Sequence, residues 1–370
     1  MIKALHTTLP LPSKINQIDG LQILRVVAVF LVAWLHCGQW LFPMAGRSLP
    51  TLGAFGIDIF FVISGFIVSS VVLRMRGNPG AGASWGFLKR RLIRIFPIYW
   101  FFCLLQIGRL LHNHQLFQRN YFPALFLLPG LRSVEGALLV AFSWTLIFEM
   151  FFYYTLGSAL LVTVRRAVPA AIAAFCAVVV LGGIIGIQHP ILPVVCNPIV
   201  LEFVFGCVLA LVYRRFGRQK RMGIALLVLG SAASLWLGRF APGAIANGPQ
   251  MMFSGQGVML RVMTWGFAAL LVVGGMVFWS PLIHSRAGRF AVVLGNSSYS
   301  AYLGSGMAME FAMRLIVKAG GQPVSLSIGR VAVYQTGGTI AVLAAGWLCY
   351  QFVEWPMLRW LQTRFLAKPS

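Results

Sequence analysis

Ionisable side chains occur inside long apolar runs of this sequence, where they are candidates for chemistry because burial in lipid is costly. The first run contains Arg25 and His36, eleven residues apart, a spacing that on a helix returns to nearly the same face about 16 Å further along the axis. A neutral imidazole can take a proton from a hydroxyl group or act as a nucleophile near neutral pH. We therefore predict that His36 is catalytic. The alternative is a histidine bonded to a backbone carbonyl at a bend.

Two carboxylates in later apolar runs are further candidates for the catalytic site. Asp58 lies in the segment 56–66 and could orient the ring of His36, pair with a cation, or form a structural link between the first two helices. Glu149 follows Thr145 by four residues, so both share one helical face. We predict catalytic roles for Asp58 and Glu149, with an internal salt bridge as the alternative for Glu149. Glu202 and Glu310 lack comparable context and are predicted to be structural.

A basic cluster precedes the third apolar run, in the segment 89–100. Arg91 and Arg94 are three residues apart and Arg90 and Arg94 are four apart, so each pair can point the same way on a helix. Guanidinium groups match the geometry of phosphate oxygens. A cluster that sets membrane orientation or contacts lipid head groups is the alternative, and it is the better interpretation when the cluster is taken alone.

The composition indicates the elements that must position these residues. Hydrophobic residues make up 59% of the chain, charged residues only 10%, and the mean hydropathy is +0.83. Soluble domains carry about 25% charged residues, so a soluble globular protein is excluded. The net charge of +23 could indicate a nucleic-acid partner, but the basic residues form short clusters between apolar runs, as in membrane proteins. We predict no nucleic-acid partner.

The apolar runs predict an all-α, polytopic transmembrane bundle of about ten helices, formed as one domain over residues 1–370. A spanning helix needs about 20 apolar residues. The predicted helices cover residues 21–42, 52–73, 95–111, 138–164, 167–187, 191–213, 222–239, 258–279, 291–313 and 331–353. The stretch 121–129 is too short to span and is predicted to lie at the interface or to re-enter. The first helix is predicted to serve as an uncleaved signal anchor.

The distribution of Lys and Arg predicts the orientation of the bundle. One alternating set of loops contains 20 of these residues and the other set contains nine. The positive-inside rule places the richer set in the cytoplasm. The sequence therefore predicts a multi-pass protein of the inner (plasma) membrane with both termini cytoplasmic.

No residue pattern predicts a metal or redox site. The six cysteines are dispersed and mostly lie within apolar runs, where they suit packing. His112 and His114 could contact a metal, but two histidines without a third ligand favour a solvated loop. The glycines of the segment 182–186 are predicted to allow close helix packing.

Taken together, several segments resemble the acyltransferase-3 family of membrane O-acyltransferases, in that family's order and over nearly the whole chain. They are the Arg25 and His36 pair, GxDxFFxxSGF at 56–66, RRxxRIxPxYW at 90–100, WTLxxExxFY at 144–153, LGNSSYSAYL at 294–303 and FVEWP at 352–356. Family members often carry a histidine soon after the segment that matches 294–303. This chain instead continues Gly304, Ser305 and Gly306, so no role of that histidine can be transferred.

The resemblance implies transfer of an acyl group, usually acetyl, from cytoplasmic acetyl-CoA or another acyl-CoA to a hydroxyl of an envelope or exported carbohydrate. His36 matches the family's histidine, and Arg91 and Arg94 match its arginine pair. Arg25 and Arg90 are predicted to assist donor binding. The resemblance also implies contact with membrane lipid, a possibly lipid-linked acceptor and possible polysaccharide-assembly proteins as partners. We expect no metal and no appended extracytoplasmic domain.

Two questions stay open at this point. His36 could act as a general base on the acceptor hydroxyl or as a transient acyl carrier, and the sequence does not choose between them. A transporter or lipid-linked-glycan flippase without acyl-transfer activity is the alternative function, with Arg25, Asp58, Glu149 and Glu354 lining a polar path. An inactive sensor or scaffold is a third, weaker possibility.

Overall fold

The chain folds as an all-α protein, as the sequence predicts. The computed structural model describes residues 19–44, 51–114, 124–128, 138–185, 192–240, 249–281, 283, 285–318 and 327–366. Within those residues the chain forms helices and turns and contains no β-strand.

Ten long helices in the described residues are numbered here α1 to α10. They are α1 Asp19–Met44, α2 Phe55–Val72, α3 Ala81–His112, α4 Trp144–Val162, α5 Ala167–Ile185, α6 Val200–Phe216, α7 Lys220–Phe240, α8 Val258–Trp279, α9 Ser298–Lys318 and α10 Ile328–Phe365. Two of these, α8 and α10, each contain one π-helical turn, at Val262–Gly266 and Tyr350–Glu354 respectively. Shorter helices cover Thr51–Ala54, Leu192–Val195, Pro249–Ser254 and Arg286–Asn296.

Eight of the ten described helices are long and apolar enough to cross a membrane, which makes the chain a multi-pass membrane protein. The other two are α6, which has only 17 residues, and α9, which carries Glu310, Arg314 and Lys318. A count of ten spanning helices therefore stays a prediction, and so does the orientation of the bundle.

The structure corrects several helix boundaries that hydropathy predicts. The third helix begins at Ala81 rather than near residue 95, because the basic cluster lowers the hydropathy but arginine and lysine are good helix formers. The tenth helix continues to Phe365 for the same reason. The predicted helix 291–313 is divided at Ser297, between Arg286–Asn296 and α9.

Two other predicted helices, 138–164 and 191–213, begin later than expected. The first begins at Trp144 after a series of turns, and the second begins at Val200 after the short helix Leu192–Val195. Of the predicted interfacial stretch 121–129, only residues 124–128 are described. They pack against α3, where Tyr99 Oη donates to the Ala124 carbonyl at 2.7 Å.

Glycine contacts set the closest approaches between helices. Gly65 of α2 faces Gly206 of α6, and a Cβ atom at Gly206 would lie 2.3 Å from the Val62 carbonyl oxygen. Of the glycines in the segment 182–186, Gly182 confirms the prediction of close packing, since a Cβ atom there would lie 2.3 Å from the Cβ of Cys196. Gly183 does not, because nothing lies within 4 Å of a Cβ atom there, and Gly186 lies outside the described residues. These contacts bring backbones together where a larger side chain would separate the helices.

Several helix connections meet at one end of the bundle, which we call the basic end and define by Arg74, Arg76, Arg165 and Arg214. Arg214 Nη1 donates to the Leu73 carbonyl at 3.2 Å, which ties the end of α6 to the end of α2. The basic end belongs to the loop set that the charge distribution predicts to be cytoplasmic. His36 lies toward the opposite end of α1.

We expect Gly206→Ala to destabilise the protein by about 1–3 kcal/mol, because the added methyl group must push α2 and α6 apart. Gly183→Ala is the matched control, since nothing lies within 4 Å of a Cβ atom there. Thermal unfolding of the detergent-purified variants tests this. Equal melting temperatures for the two variants would show that the α2–α6 contact is looser than described.

Candidate active site

A cavity of about 720 Å³ lies within the bundle and contains most of the polar groups of the site. Its volume is in the range of sites that bind small molecules, about 300–1,000 Å³. The polar lining comes from six of the long helices, from the residue Arg74 just after α2 and from the short helix Arg286–Asn296. The polar residues on the long helices are Gln22 and Arg25 of α1, Ser64 and Ser70 of α2, Arg91 and Arg94 of α3, Thr145, Glu149 and Tyr153 of α4, Tyr213 of α6, and Ser298, Tyr299 and Tyr302 of α9, and the short helix contributes Asn296. Helix packing thus brings together residues that are far apart in the sequence.

Glu149 is the one acidic residue in the described lining of this cavity. Ser64 Oγ donates a hydrogen bond to Glu149 Oε1 at 3.1 Å, and Tyr153 Oη donates to the same oxygen. Tyr153 is four residues after Glu149, so α4 presents both groups on one face. The carboxylate is therefore held in place, and it can orient or bind a polar ligand in the cavity.

Arg91 is positioned by aromatic rings. Its guanidinium carbon lies 5.7 Å from the ring centroids of both Phe87 and Tyr153. The Nε atom is buried and makes no hydrogen bond within the described part of the chain. A buried donor without a partner is costly, so this group is suited to an anionic ligand that enters the cavity.

Arg94 is held by a glutamate from the last helix. Its Nη1 atom lies 3.5 Å from Glu354 Oε1, and Ser300 Oγ donates to Glu354 Oε2 at 2.5 Å. Glu354 is completely buried and belongs to the π-helical turn of α10. Such turns often occur at functional sites, where they change the direction of a side chain. Arg25 also lines the cavity, and its Nη1 atom donates a hydrogen bond to Gln22 Oε1 at 3.4 Å.

His36 lies beside this cavity but is not part of its described lining. Its Nδ1 atom is 2.8 Å from Gln39 Oε1, and its ring stacks near Phe142 with centroids 4.0 Å apart. Phe142 in turn packs near Tyr302, with centroids 6.1 Å apart, and Tyr302 Oη donates to the Phe142 carbonyl at 3.1 Å. We call Phe142 and Tyr302 the aromatic pair. Because Tyr302 lines the cavity, the aromatic pair links His36 to the cavity lining through ring contacts.

Asp58 is placed in a buried ion pair rather than beside His36. Arg261 of α8 contacts both carboxylate oxygens, through Nε at 2.9 Å and Nη2 at 2.7 Å, and also donates to the Ala54 carbonyl. The completely buried Glu202 lies close enough to interact electrostatically with both members of the pair. The geometry therefore matches the cation-pairing alternative for Asp58, and it assigns to Glu202 a structural position beside the pair.

Sequence spacing thus anticipated four members of the cavity: Arg25, Arg91, Arg94 and Glu149. Arg90 is exposed and lies outside the described lining, because a helix that points Arg91 and Arg94 inward turns Arg90 away.

Sequence reasoning did not identify Ser64, Tyr153, Ser300 and Tyr302 as site residues. All four lie in segments that carry the family resemblance, which is the signal that could have found them. Helical spacing alone did not single them out, since neutral hydroxyl groups are common in membrane helices.

Other ionisable groups lie outside the site. Glu310 contacts Arg109 of α3 and Arg314 of its own helix, which matches the predicted structural role. His112 and His114 are exposed. In the described residues no three His, Cys, Asp or Glu side chains cluster as metal ligands would.

The fold and cavity define a class of protein: a multi-pass membrane protein that encloses an arginine-lined polar site beside a histidine. Comparison with known proteins is more specific. The acyltransferase-3 family, described as an acyltransferase domain, matches residues 18–351. The chain belongs to this family and is a membrane acyltransferase.

Two relatives illustrate the similarity. The chain is 28% identical over 319 residues to the exopolysaccharide production protein ExoZ of Rhizobium meliloti (strain 1021). The aligned residues cover 84% of this chain and 90% of ExoZ. An 85-residue segment is 36% identical to SACOL0978, a protein of Staphylococcus aureus (strain COL) named as an O-acetyltransferase, and covers 23% of this chain but 13% of that protein. No solved structure matches the chain significantly.

The ion pair of Asp58 and Arg261 predicts that substitution of Arg261 costs more folding stability than substitution of Asp58. Arg261→Met leaves Asp58 and Glu202 buried together without a cation, so we expect a loss of about 3–5 kcal/mol in folding stability. Asp58→Asn should cost less, because Glu202 still lies near Arg261. Thermal unfolding of purified protein measures both, with Arg239→Met at an exposed position as the control.

If Asp58→Asn keeps the melting temperature of the wild type but has no acyl-transfer activity, Asp58 has a catalytic role rather than a structural one.

Proposed function

We propose that this protein is an O-acyltransferase that moves an acyl group, in the first instance acetyl, from cytoplasmic acyl-CoA to a carbohydrate hydroxyl. Family membership supports acyl transfer, the name of ExoZ supports an exopolysaccharide acceptor, and the name of SACOL0978 supports O-acetylation. The observation that carries the proposal is the cavity that joins Arg91 and Arg94 to Glu149 and to Tyr302, which is linked to His36 through Phe142.

The donor enters from the basic end, which the charge distribution predicts to be cytoplasmic. Arg91, with its buried and unpartnered Nε atom, and Arg94 attract the anionic donor into the cavity. Arg25 adds positive charge at the same site. Glu149, fixed by Ser64 and Tyr153, orients the polar pantetheine amides near the acyl group through its carboxylate oxygens.

His36 is the general base in this proposal, and its contact with Gln39 supports Nε2 as the nitrogen that acts. The Gln39 Oε1 atom can only accept a hydrogen bond, so Nδ1 carries the proton and Nε2 is the basic atom. Nε2 takes the proton of the acceptor hydroxyl as its oxygen attacks the thioester carbonyl. The carbon–sulfur bond breaks, and the departing thiolate takes the proton from His36.

The acyl-carrier alternative uses the same nitrogen. In that case Nε2 attacks the thioester and holds the acyl group until the acceptor hydroxyl displaces it. The two routes differ in whether donor thiol is released before the acceptor binds. A burst of free CoA from purified protein without acceptor, equal to the enzyme concentration, would favour the carrier route.

The aromatic pair has a defined role in either route. In this proposal the acyl group passes these two rings on its way from the cavity to His36, because Tyr302 lines the cavity and Phe142 contacts both Tyr302 and His36. The pair also separates the donor side from the acceptor side. This separation limits hydrolysis of the thioester by water from the acceptor side.

The remaining parts of the proposal concern location and partners. We propose the inner membrane, both termini in the cytoplasm, a possibly lipid-linked glycan acceptor and contact with polysaccharide-assembly proteins. The transporter alternative required Asp58 and Glu354 to line a polar path with Arg25 and Glu149. Asp58 is instead paired with Arg261 and Glu354 with Arg94, and neither is in the described lining, so this alternative lacks support.

We expect His36→Ala to reduce acyl transfer by about 10²–10⁴-fold while the protein still inserts and accumulates, since general-base assistance has that magnitude. Mass spectrometry of surface and secreted glycans, from strains that carry wild type, variant or a deletion, measures the transferred group. His112→Ala serves as the control because His112 is an exposed histidine on α3. Normal glycan acylation by His36→Ala would refute the role of His36.

We expect Phe142→Trp to block transfer, because a larger ring closes the passage between the cavity and His36, and to leave acetyl-CoA binding unchanged. Equilibrium binding of labelled acetyl-CoA and the transfer assay together separate these effects. Phe311→Trp at an exposed position of α9 is the control. If Phe142→Trp transfers acyl groups at the wild-type rate, the aromatic pair does not lie on the route.

A further inference from the structure

A second cavity of about 630 Å³ lies at the basic end. Its lining comes from the end of α2, the connection between α4 and α5, and the end of α6. Four arginines contribute to it: Arg74, Arg76, Arg165 and Arg214. The described lining contains no acidic residue. Four cationic groups from three separate segments around one space make a strongly electropositive site.

This second cavity adjoins the first, because the two share part of their lining. Ser70, Arg74 and Tyr213 line both. Ser64, which contacts Glu149, and Ser70, at the junction, are six residues apart on α2, about 9 Å along the helix axis. A ligand that occupies both cavities must therefore be long, with an anionic part at one end and a separate polar arm.

Acyl-CoA has this shape, because a pantetheine arm separates the thioester from a diphosphate and a 3′-phosphorylated adenosine. A phosphomonoester carries a charge of about −1.5 to −2 near neutral pH. Guanidinium groups bind such phosphates through paired hydrogen bonds. The first cavity offers Glu149 and the hydroxyl groups of Tyr153, Tyr299 and Tyr302 to the polar arm, whereas the charged groups of the second cavity are all arginines, around about 630 Å³ of space.

We propose that the second cavity binds the 3′-phosphoadenosine end of the donor, with Arg165 and Arg214 as phosphate-binding residues. This inference rests on the proposed function. Two groups of arginines then bind different parts of the donor. Arg91 and Arg94 contact the pantetheine arm and the diphosphate, and the basic-end arginines bind the nucleotide. Specificity for CoA over shorter acyl carriers then resides in the second cavity.

The test compares three acetyl donors that differ only at the nucleotide end: acetyl-CoA, its 3′-dephospho form and S-acetyl-phosphopantetheine. Binding is measured by calorimetry with purified protein in nanodiscs of phosphatidylcholine. We expect Arg165→Gln and Arg214→Gln each to weaken acetyl-CoA binding by about tenfold or more. Binding of S-acetyl-phosphopantetheine should not change, which also shows that the variants are folded. Arg215→Gln, an exposed neighbour outside the described lining, is the control.

Three outcomes would overturn the inference, and they are distinguishable. If Arg165→Gln and Arg214→Gln weaken all three donors equally, or none, the second cavity does not recognise the nucleotide, although the proposed function stands. If wild type binds none of the donors, the proposed function fails as well. If the variants change only the binding of phosphatidylglycerol vesicles, the cavity is a lipid head-group site.

Discussion

Burial of an unpaired charge in an apolar bundle is costly, and this constraint organises the structure. Asp58 and Arg261 neutralise each other between α2 and α8, and Glu354 neutralises Arg94 between α10 and α3. Each pair is formed by residues more than 200 positions apart in the sequence, so each fixes the relation of distant helices. Both partners on the later helices, Arg261 and Glu354, lie in or directly before a π-helical turn.

The site contains Arg94 of one of these pairs together with charged groups outside them. Glu149 accepts hydrogen bonds from hydroxyl groups and Arg91 packs against rings, and the two interact electrostatically without a direct ion pair in the described residues. Burial of such groups costs stability, which a ligand of matching charge recovers when it binds. The charge of the site therefore changes along its length. Positive charge is in excess toward the basic end, whereas the surroundings of His36 are neutral and aromatic. An anionic donor would be drawn in from one end, while an uncharged glycan hydroxyl could approach from the other.

Much of the site followed from local spacing. Arg91 and Arg94 share a face three residues apart, Glu149 stands alone in an apolar helix, and both features place their side chains inside the bundle. The prediction for α3 failed at its beginning, because hydropathy measures transfer to lipid whereas arginine and lysine are compatible with a helix. Asp58 shows a different limit: its partner is 203 residues away, and no local pattern identifies it.

By itself, the sequence determined the class of fold, the membrane setting, the family resemblance and four residues of the cavity, since hydropathy and helical periodicity are local properties. Only the tertiary structure decided that Asp58 pairs with Arg261, that Glu354 pairs with Arg94 and that Phe142 and Tyr302 link His36 to the cavity lining. It also joined the four basic-end arginines into one cavity. The reason is that crossing positions and rotations of packed helices depend on many contacts at once, including the glycine contact of Gly65 and Gly206.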